Sequence, residues 1–187
     1  MNLMKRLVAG IFDFLQGIVV FLALLVMVYL FVMSPQEING ASMEPNFRNG
    51  EFILTNKIEY KLRNPKRGEV VIFKSPKNKE IDYIKRIIGL PGDTVKLYKN
   101  ALYVNGQKLD EPYLSPGIYI FGGSYLQEGY EVTVAPGMYF VAGDNRPHSS
   151  DSREFGPIAK EDFIGHAILR YWPVTNMGLL TTPKYSL

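Results

Sequence analysis

Gly17-Ile18-Val19-Val20-Phe21-Leu22-Ala23-Leu24-Leu25-Val26-Met27-Val28-Tyr29-Leu30-Phe31-Val32-Met33 contains neither a charge nor a proline. Extended back to Ile11, the apolar run reaches about 23 residues, enough for a helix to cross a ~30 Å hydrocarbon core. Asp13 and Gln16 fall in its first turns, where headgroups solvate them. A cleaved leader has a shorter apolar stretch followed by a small-residue cut site. Here bulky Phe31, Val32 and Met33 close the run, so 11–33 reads as a retained transmembrane anchor behind a cytoplasmic N-terminus over 1–10. Lys5 and Arg6 precede the span, which predicts a single-pass protein of the cell membrane with residues 34–187 outside the cytoplasm.

The chain has 187 residues, enough for an anchor and one domain of ordinary size. Its net charge of +3 is small and no basic cluster is interleaved with aromatics, which argues against nucleic acid as a partner. The absence of cysteine excludes disulfides and thiolate metal sites.

Beyond the short polar exit Ser34–Asn39, the chain reads as β structure. Glu51–Thr55 and Glu69–Phe73 are short β-rich runs, the second after the turn Pro65-Lys66-Arg67-Gly68. Asn105-Gly106 between β-formers is a hairpin signal. Tyr130–Val134 and Met138–Val141 flank the turn Ala135-Pro136-Gly137, and Ala167–Trp172 ends at Pro173. Ala159–Phe163 is the only weak helical candidate outside the anchor. The pattern predicts a mostly β, antiparallel, barrel-like domain with a single N-terminal transmembrane helix. Residues 97–137 are a possible small subdomain whose aromatics serve packing.

Three segments carry candidate chemistry. Ser42 stands in Gly40-Ala41-Ser42-Met43-Glu44-Pro45. Gly40 and Ala41 leave room for a substrate backbone, and Pro45 stiffens the turn that presents the hydroxyl and its own N–H. A serine hydroxyl needs a partner to take its proton. His148 lies in a polar loop and His166 near a terminal strand, without evident triad company.

Lys85, in the largely apolar run Ile81-Asp82-Tyr83-Ile84-Lys85-Arg86-Ile87-Ile88, is the better base. An ordinary lysine is protonated at neutral pH, but desolvation favours the neutral amine. On a strand Lys85 shares a face with Tyr83 and Ile87, and Met43 would cover it. The bland alternative is a strand lysine with its stem buried and its head in water. The third segment, Gly143 to Gly156, is a dense polar loop. It is either solvated or a scaffold in which Ser149 orients the lysine amine while Asp151 and Arg153 pair.

In order and spacing these segments resemble the bacterial type I signal peptidase family. Gly-x-Ser-Met-x-Pro is that family's nucleophile motif. Arg67-Gly68-Glu69-Val70-Val71 resembles its Arg-Gly-Asp-(Ile/Val)-Val. Tyr83 to Asp93 matches Tyr-Ile-Lys-Arg-x-x-Gly-Leu-Pro-Gly-Asp, and Gly143 to Arg153 matches Gly-Asp-Asn-Arg-x-x-Ser-x-Asp-Ser-Arg. The resemblance implies a serine endopeptidase with Ser42 as nucleophile, Lys85 as general base, Ser149 as the lysine's partner, Asp151 and Arg153 as support, and neither metal nor cofactor. It also implies that Ile38, Gly40, Met43, Phe47, Tyr83 and Ile84 line small pockets. The substrate would be a secretory preprotein with small residues at −1 and −3, lying extended beside Asp82 to Ile84.

This chain departs from the pattern at Glu69, where aspartate is usual, at Pro147-His148, where Asp-Asn is common, and at Gly40. Some members carry at that last position a serine that helps form the oxyanion hole. Ser42 follows Met33 by nine residues, an extended reach of at most about 30 Å, so it would act near the membrane surface. The residues alone leave three alternatives open: a self-cleaving repressor-like relative, whose DNA-binding segment the apolar helix replaces; a specialised peptidase of a conjugation or organelle system; and a catalytically inert tethered binding protein.

Overall fold

The computed structural model describes residues 3–183 and Tyr185. Helix α1 (Leu3–Phe31) is 29 residues long, about 44 Å at the usual rise, and its side chains from Arg6 to Phe31 are exposed. It begins before Ile11 and contains the apolar run up to Phe31. Val32 N–H still donates to the Val28 carbonyl at 2.8 Å, and Met33 already belongs to strand β1 (Met33–Glu37).

There follow β2 (Phe52–Asn56), the short helix α2 (Glu59–Leu62), β3 (Val70–Lys74), β4 (Asp82–Gly89), β5 (Thr94–Tyr98), β6 (Ala101–Val104), β7 (Gln107–Lys108), β8 (Glu131–Thr133) and β9 (Met138–Ala142). The chain ends through the short helix α3 (Ser152–Phe155), β10 (Ile158–Ala159), β11 (Phe163–Trp172) and β12 (Gly178–Leu179). Ala159–Phe163 holds no α-helix; Lys160–Asp162 form a single 3₁₀ turn.

The domain is mostly β and its strand pairs are antiparallel, as the sequence predicts. The strands form two open sheets rather than a closed barrel. The larger runs β1-β2-β11-β3-β4-β9-β10, with β12 beside β11; the smaller runs β7-β6-β5-β8. The larger sheet is nevertheless curled. β11 shifts register near Gly165, between Ala167 and Leu169, and again before Trp172. Such bulges bend a strand and increase its twist. Gly165 is required at the tightest approach, because a Cβ there would strike the Asn56 carbonyl.

β3 explains why both faces read as apolar. Val70 and Ile72 pack with Ile38, Met43, Phe47, Ile53 and Ala167, while Val71 and Phe73 pack on the other face with Tyr60, Ile87, Tyr139 and Val141. With both faces covered, the strand shows no apolar/polar alternation. The smaller sheet begins at Thr94, three residues before the expected subdomain. It shares its core with the larger sheet, because Val95, Leu97, Leu102 and Val104 pack against Ile88 and Phe140. Asn105 and Gly106 both take positive φ (52° and 77°), the combination a two-residue I′ hairpin needs, and they join β6 to β7.

Candidate active site

The turn after β1 carries Ser42. Gly40 has φ +108°, a conformation other residues rarely adopt, and its N–H donates to Asn49 Oδ1 at 2.8 Å. Asn145, from the loop after β9, clamps this turn from the far side. Its backbone N–H donates to the Ser42 carbonyl and its Nδ2 to the Ala41 carbonyl, both at 3.0 Å. Gly143 allows the loop to come so close: a Cβ there would collide with the Ser149 side chain and the Ser42 carbonyl.

Lys85 arrives on β4, opposite Val71. It is 3% exposed, its Nζ lies 2.7 Å from Ser42 Oγ, and it also donates to the Ile84 carbonyl at 2.9 Å. The ring of Tyr83, two residues back on the same face, is centred 5.2 Å away. Burial pushes the Lys85 amine down to about 8, against the upward pull of Asp151 and Asp144; Arg153 adds to the depression.

Asp151 and Arg153 are paired, with Nε–Oδ1 and Nη2–Oδ2 both at 2.8 Å. Burial alone would raise the Asp151 pKa, but Arg153 and the Gly143 N–H hold it below the usual range. Ser149 stands differently from expectation. Its Oγ lies close enough to Asp151 to help keep the carboxylate ionised, yet forms no well-aligned hydrogen bond among the described residues and none to Lys85.

Sequence reasoning missed the tie behind the dyad. Asp144 accepts from Arg86 at 2.9 and 2.6 Å and from Asn46 Nδ2 at 2.9 Å, so one buried carboxylate joins β4, the Ser42 turn and the loop after β9. Arg86 also stacks on Tyr113 at 4.2 Å. Asp144 and Asn145 belong to the motif that begins at Gly143, but nothing local says that they reach back about 100 residues.

The dyad stands in a cleft of about 790 Å³. One wall is the segment Ser34–Ser42, the other Glu80–Lys85, and Ile53 and Ile72 form the floor. Three strands separate β1 from β4 in the sheet, so their meeting across one cleft is a consequence of the curl. Among the described residues β1 pairs only with β2, and β9 takes up the free side of β4 only from Arg86 onward. Both walls therefore present open strand edges. Ile38, Gly40, Asp82, Tyr83 and Ile84 line the cleft. Met43 and Phe47 do not; they are buried in the core beneath it, beside Ile38 and Ile53. His148 also lines the cleft, whereas His166 bonds Glu59 through Nδ1 at 2.8 Å. Among the described residues no three His, Asp or Glu side chains gather as metal ligands.

The family described as "Signal peptidase, peptidase S26" matches residues 11–172, most of the apolar helix and nearly all of the sheet domain. The chain belongs to the signal peptidase family. Signal peptidase IB of Staphylococcus aureus (strain MRSA252) is 38% identical over 183 residues, covering 92% of this chain and 95% of that protein. The probable signal peptidase I-2 of Synechocystis is 41% identical over 157 residues, covering 81% and 68%. A crystal structure of a signal peptidase I from Enterococcus faecalis V583 is 37% identical, with a TM-score of 0.47, covering 56% of this chain and 97% of that one. As a signal peptidase this chain is a serine endopeptidase of signal-peptide removal, and its one long apolar helix fits a membrane-bound member.

Proposed function

We propose that Ser42 is the nucleophile and Lys85 the general base of this peptidase. The observation that carries the reading is the 2.7 Å contact between them at the bottom of a cleft with two open strand edges. The neutral Lys85 amine takes the Ser42 proton as Oγ attacks the scissile carbonyl. The resulting ammonium gives that proton to the leaving amine, and an acyl-enzyme remains. Lys85 then takes a proton from water, whose oxygen attacks the ester, and the ammonium returns that proton to Ser42 Oγ as the acyl group leaves, restoring the neutral amine and the free hydroxyl. The Ser42 N–H has no acceptor among the described residues and is the donor available to the oxyanion. Ser149 Oγ, buried and without a well-aligned partner among the described residues, is the hydroxyl available to the ammonium. Asp151, Arg153 and Asn145 hold the loop that carries it.

The preprotein enters the cleft as an extended strand, adding main-chain hydrogen bonds at Asp82–Ile84. Ile38, Gly40, Tyr83 and Ile84 bound the space for its side chains, with Met43 and Phe47 as the packed layer beneath, and small residues at −1 and −3 are the ones it would take. Residues 11–33 anchor the chain in the bilayer, 1–10 stay in the cytoplasm and 34–187 work outside, as Lys5 and Arg6 imply.

The test is cleavage of a membrane-presented preprotein with an Ala-x-Ala site by wild type, Ser42→Ala and Lys85→Ala of equal fold and abundance. Wild type should cut after the −1 alanine, and both variants should lose cleavage. Normal activity in Lys85→Ala would remove it as the base.

A further inference from the structure

The junction between α1 and the sheet domain holds a second cavity, unconnected with the dyad. It has a volume of about 470 Å³ and is walled by Leu30 and Phe31 from the helix end and by Phe163 and Ile164 from β11. Lys57, Lys61 and Lys160 converge on it, with Glu161 as the opposing charge. Lys57 is fixed by the helix itself: its Nζ donates to the Leu30 carbonyl at 3.1 Å, and its backbone N–H bonds Val32 O at 2.8 Å. A cation at this end also complements the helix dipole. Lys160 donates to Asn64 Oδ1 at 2.9 Å, and Lys61 makes no ion pair among the described residues. Leu62, beside them, is 81% exposed.

If α1 spans the bilayer, as proposed above, Phe31 marks the edge of the hydrocarbon. The cavity beyond it then lies at headgroup level. Apolar walls continuous with the acyl region, rimmed by three ammonium groups against one carboxylate, match a lipid whose phosphate is not neutralised by its own headgroup. We propose that this cavity is a binding site for an anionic phospholipid, with Lys57, Lys61 and Lys160 on the phosphate and Leu30, Phe31 and Ile164 against the acyl chain. The site would set the height and tilt of the cleft relative to the membrane.

The test uses the full chain, purified in mild detergent and titrated with phosphatidylglycerol or phosphatidylcholine, with bound lipid counted by native mass spectrometry. Wild type should retain phosphatidylglycerol preferentially. Lys61→Gln/Lys160→Gln should weaken it by about fivefold for each lysine removed, and adding Lys57→Gln should weaken it further. Lys99→Gln/Lys108→Gln, on the small sheet, should leave retention unchanged. Circular dichroism and cleavage of a soluble peptide verify that each variant is folded.

Equal loss in the small-sheet variant would overturn the site in favour of diffuse surface attraction. Displacement of the lipid by millimolar inorganic phosphate would overturn it in favour of a free-phosphate site. Equal retention of both lipids would overturn it outright. Extraction of the chain from membranes by alkaline carbonate would overturn the anchoring on which it rests; a chain that resists extraction but shows no lipid preference defeats this proposal alone.

Discussion

Lys85 Nζ and Ser42 Oγ lie 2.7 Å apart although the two residues are 43 positions apart in the chain, and the lysine is almost wholly buried. Burial depresses the amine to about 8, so at neutral pH a minority of molecules carry the neutral base. With substrate covering the cleft, desolvation increases further. We expect kcat/KM for a signal-peptide substrate to rise roughly tenfold per pH unit below about 8 and to level off above it. A profile flat between pH 6 and 8 would rule out Lys85 as the titrating base.

The same depression costs stability. An unfolded lysine titrates near 10.4, so below about 8 both states are protonated and the folded chain bears the cost of a buried ammonium, up to about 3 kcal/mol. Between about 8 and 10.4 the unfolded chain binds more protons, and stability rises with pH. Lys85→Met should therefore be inactive yet melt at a higher temperature than wild type at pH 7, with the gap closing as pH approaches 10. Thermal melts of the detergent-solubilised chain at both pH values check the sign.

Among the described residues Asn145 bonds the Ser42 turn only through the Ala41 and Ser42 carbonyls. Asn145→Ala keeps the backbone bond and removes the side-chain one, at about 1 kcal/mol of stability. Because misplacement of a reacting group is costly, kcat should fall about 10- to 100-fold with KM little changed. Steady-state kinetics separate the two. Gly143→Ala should be worse, since its methyl group meets Ser149 and the Ser42 carbonyl.

Asp144 is fully buried and pairs with buried Arg86. Asp144→Ala leaves a guanidinium without its counter-ion and should destabilise the domain by about 3–5 kcal/mol, as measured by urea unfolding. Arg86→Met/Asp144→Leu should recover much of that loss. If the single variant is as stable as wild type, the carboxylate is not the tie described.

Much of this protein is legible along the chain. Hydropathy marks the long apolar helix, because the length of an apolar run is a local property. The β segments and the Asn105-Gly106 hairpin follow from local preferences. Ser42, Lys85, Asp151 and Arg153 stand out because each sits in a short motif. What pairs with what was not legible. The resemblance pairs Ser149 with the lysine; the local sequence does not say that its hydroxyl also lies beside Asp151 and Gly143. It placed Met43 and Phe47 in the cleft wall; they lie in the core beneath, because the turn after β1 folds inward over Ile53. Glu69 reads along the chain only as a departure from aspartate, yet its longer carboxylate reaches Tyr60, Arg63 and the Lys66 N–H, a set defined only once α2 is in place.

The sequence by itself determined the long apolar helix, the β character and the residue types that meet at Ser42 and Lys85, since each depends on neighbours within a few positions. The tertiary structure decided the cleft, the depressed lysine and the clamp on the Ser42 turn. Each of these arises when β11 bulges, the sheet curls and residues tens to a hundred positions apart exclude water together.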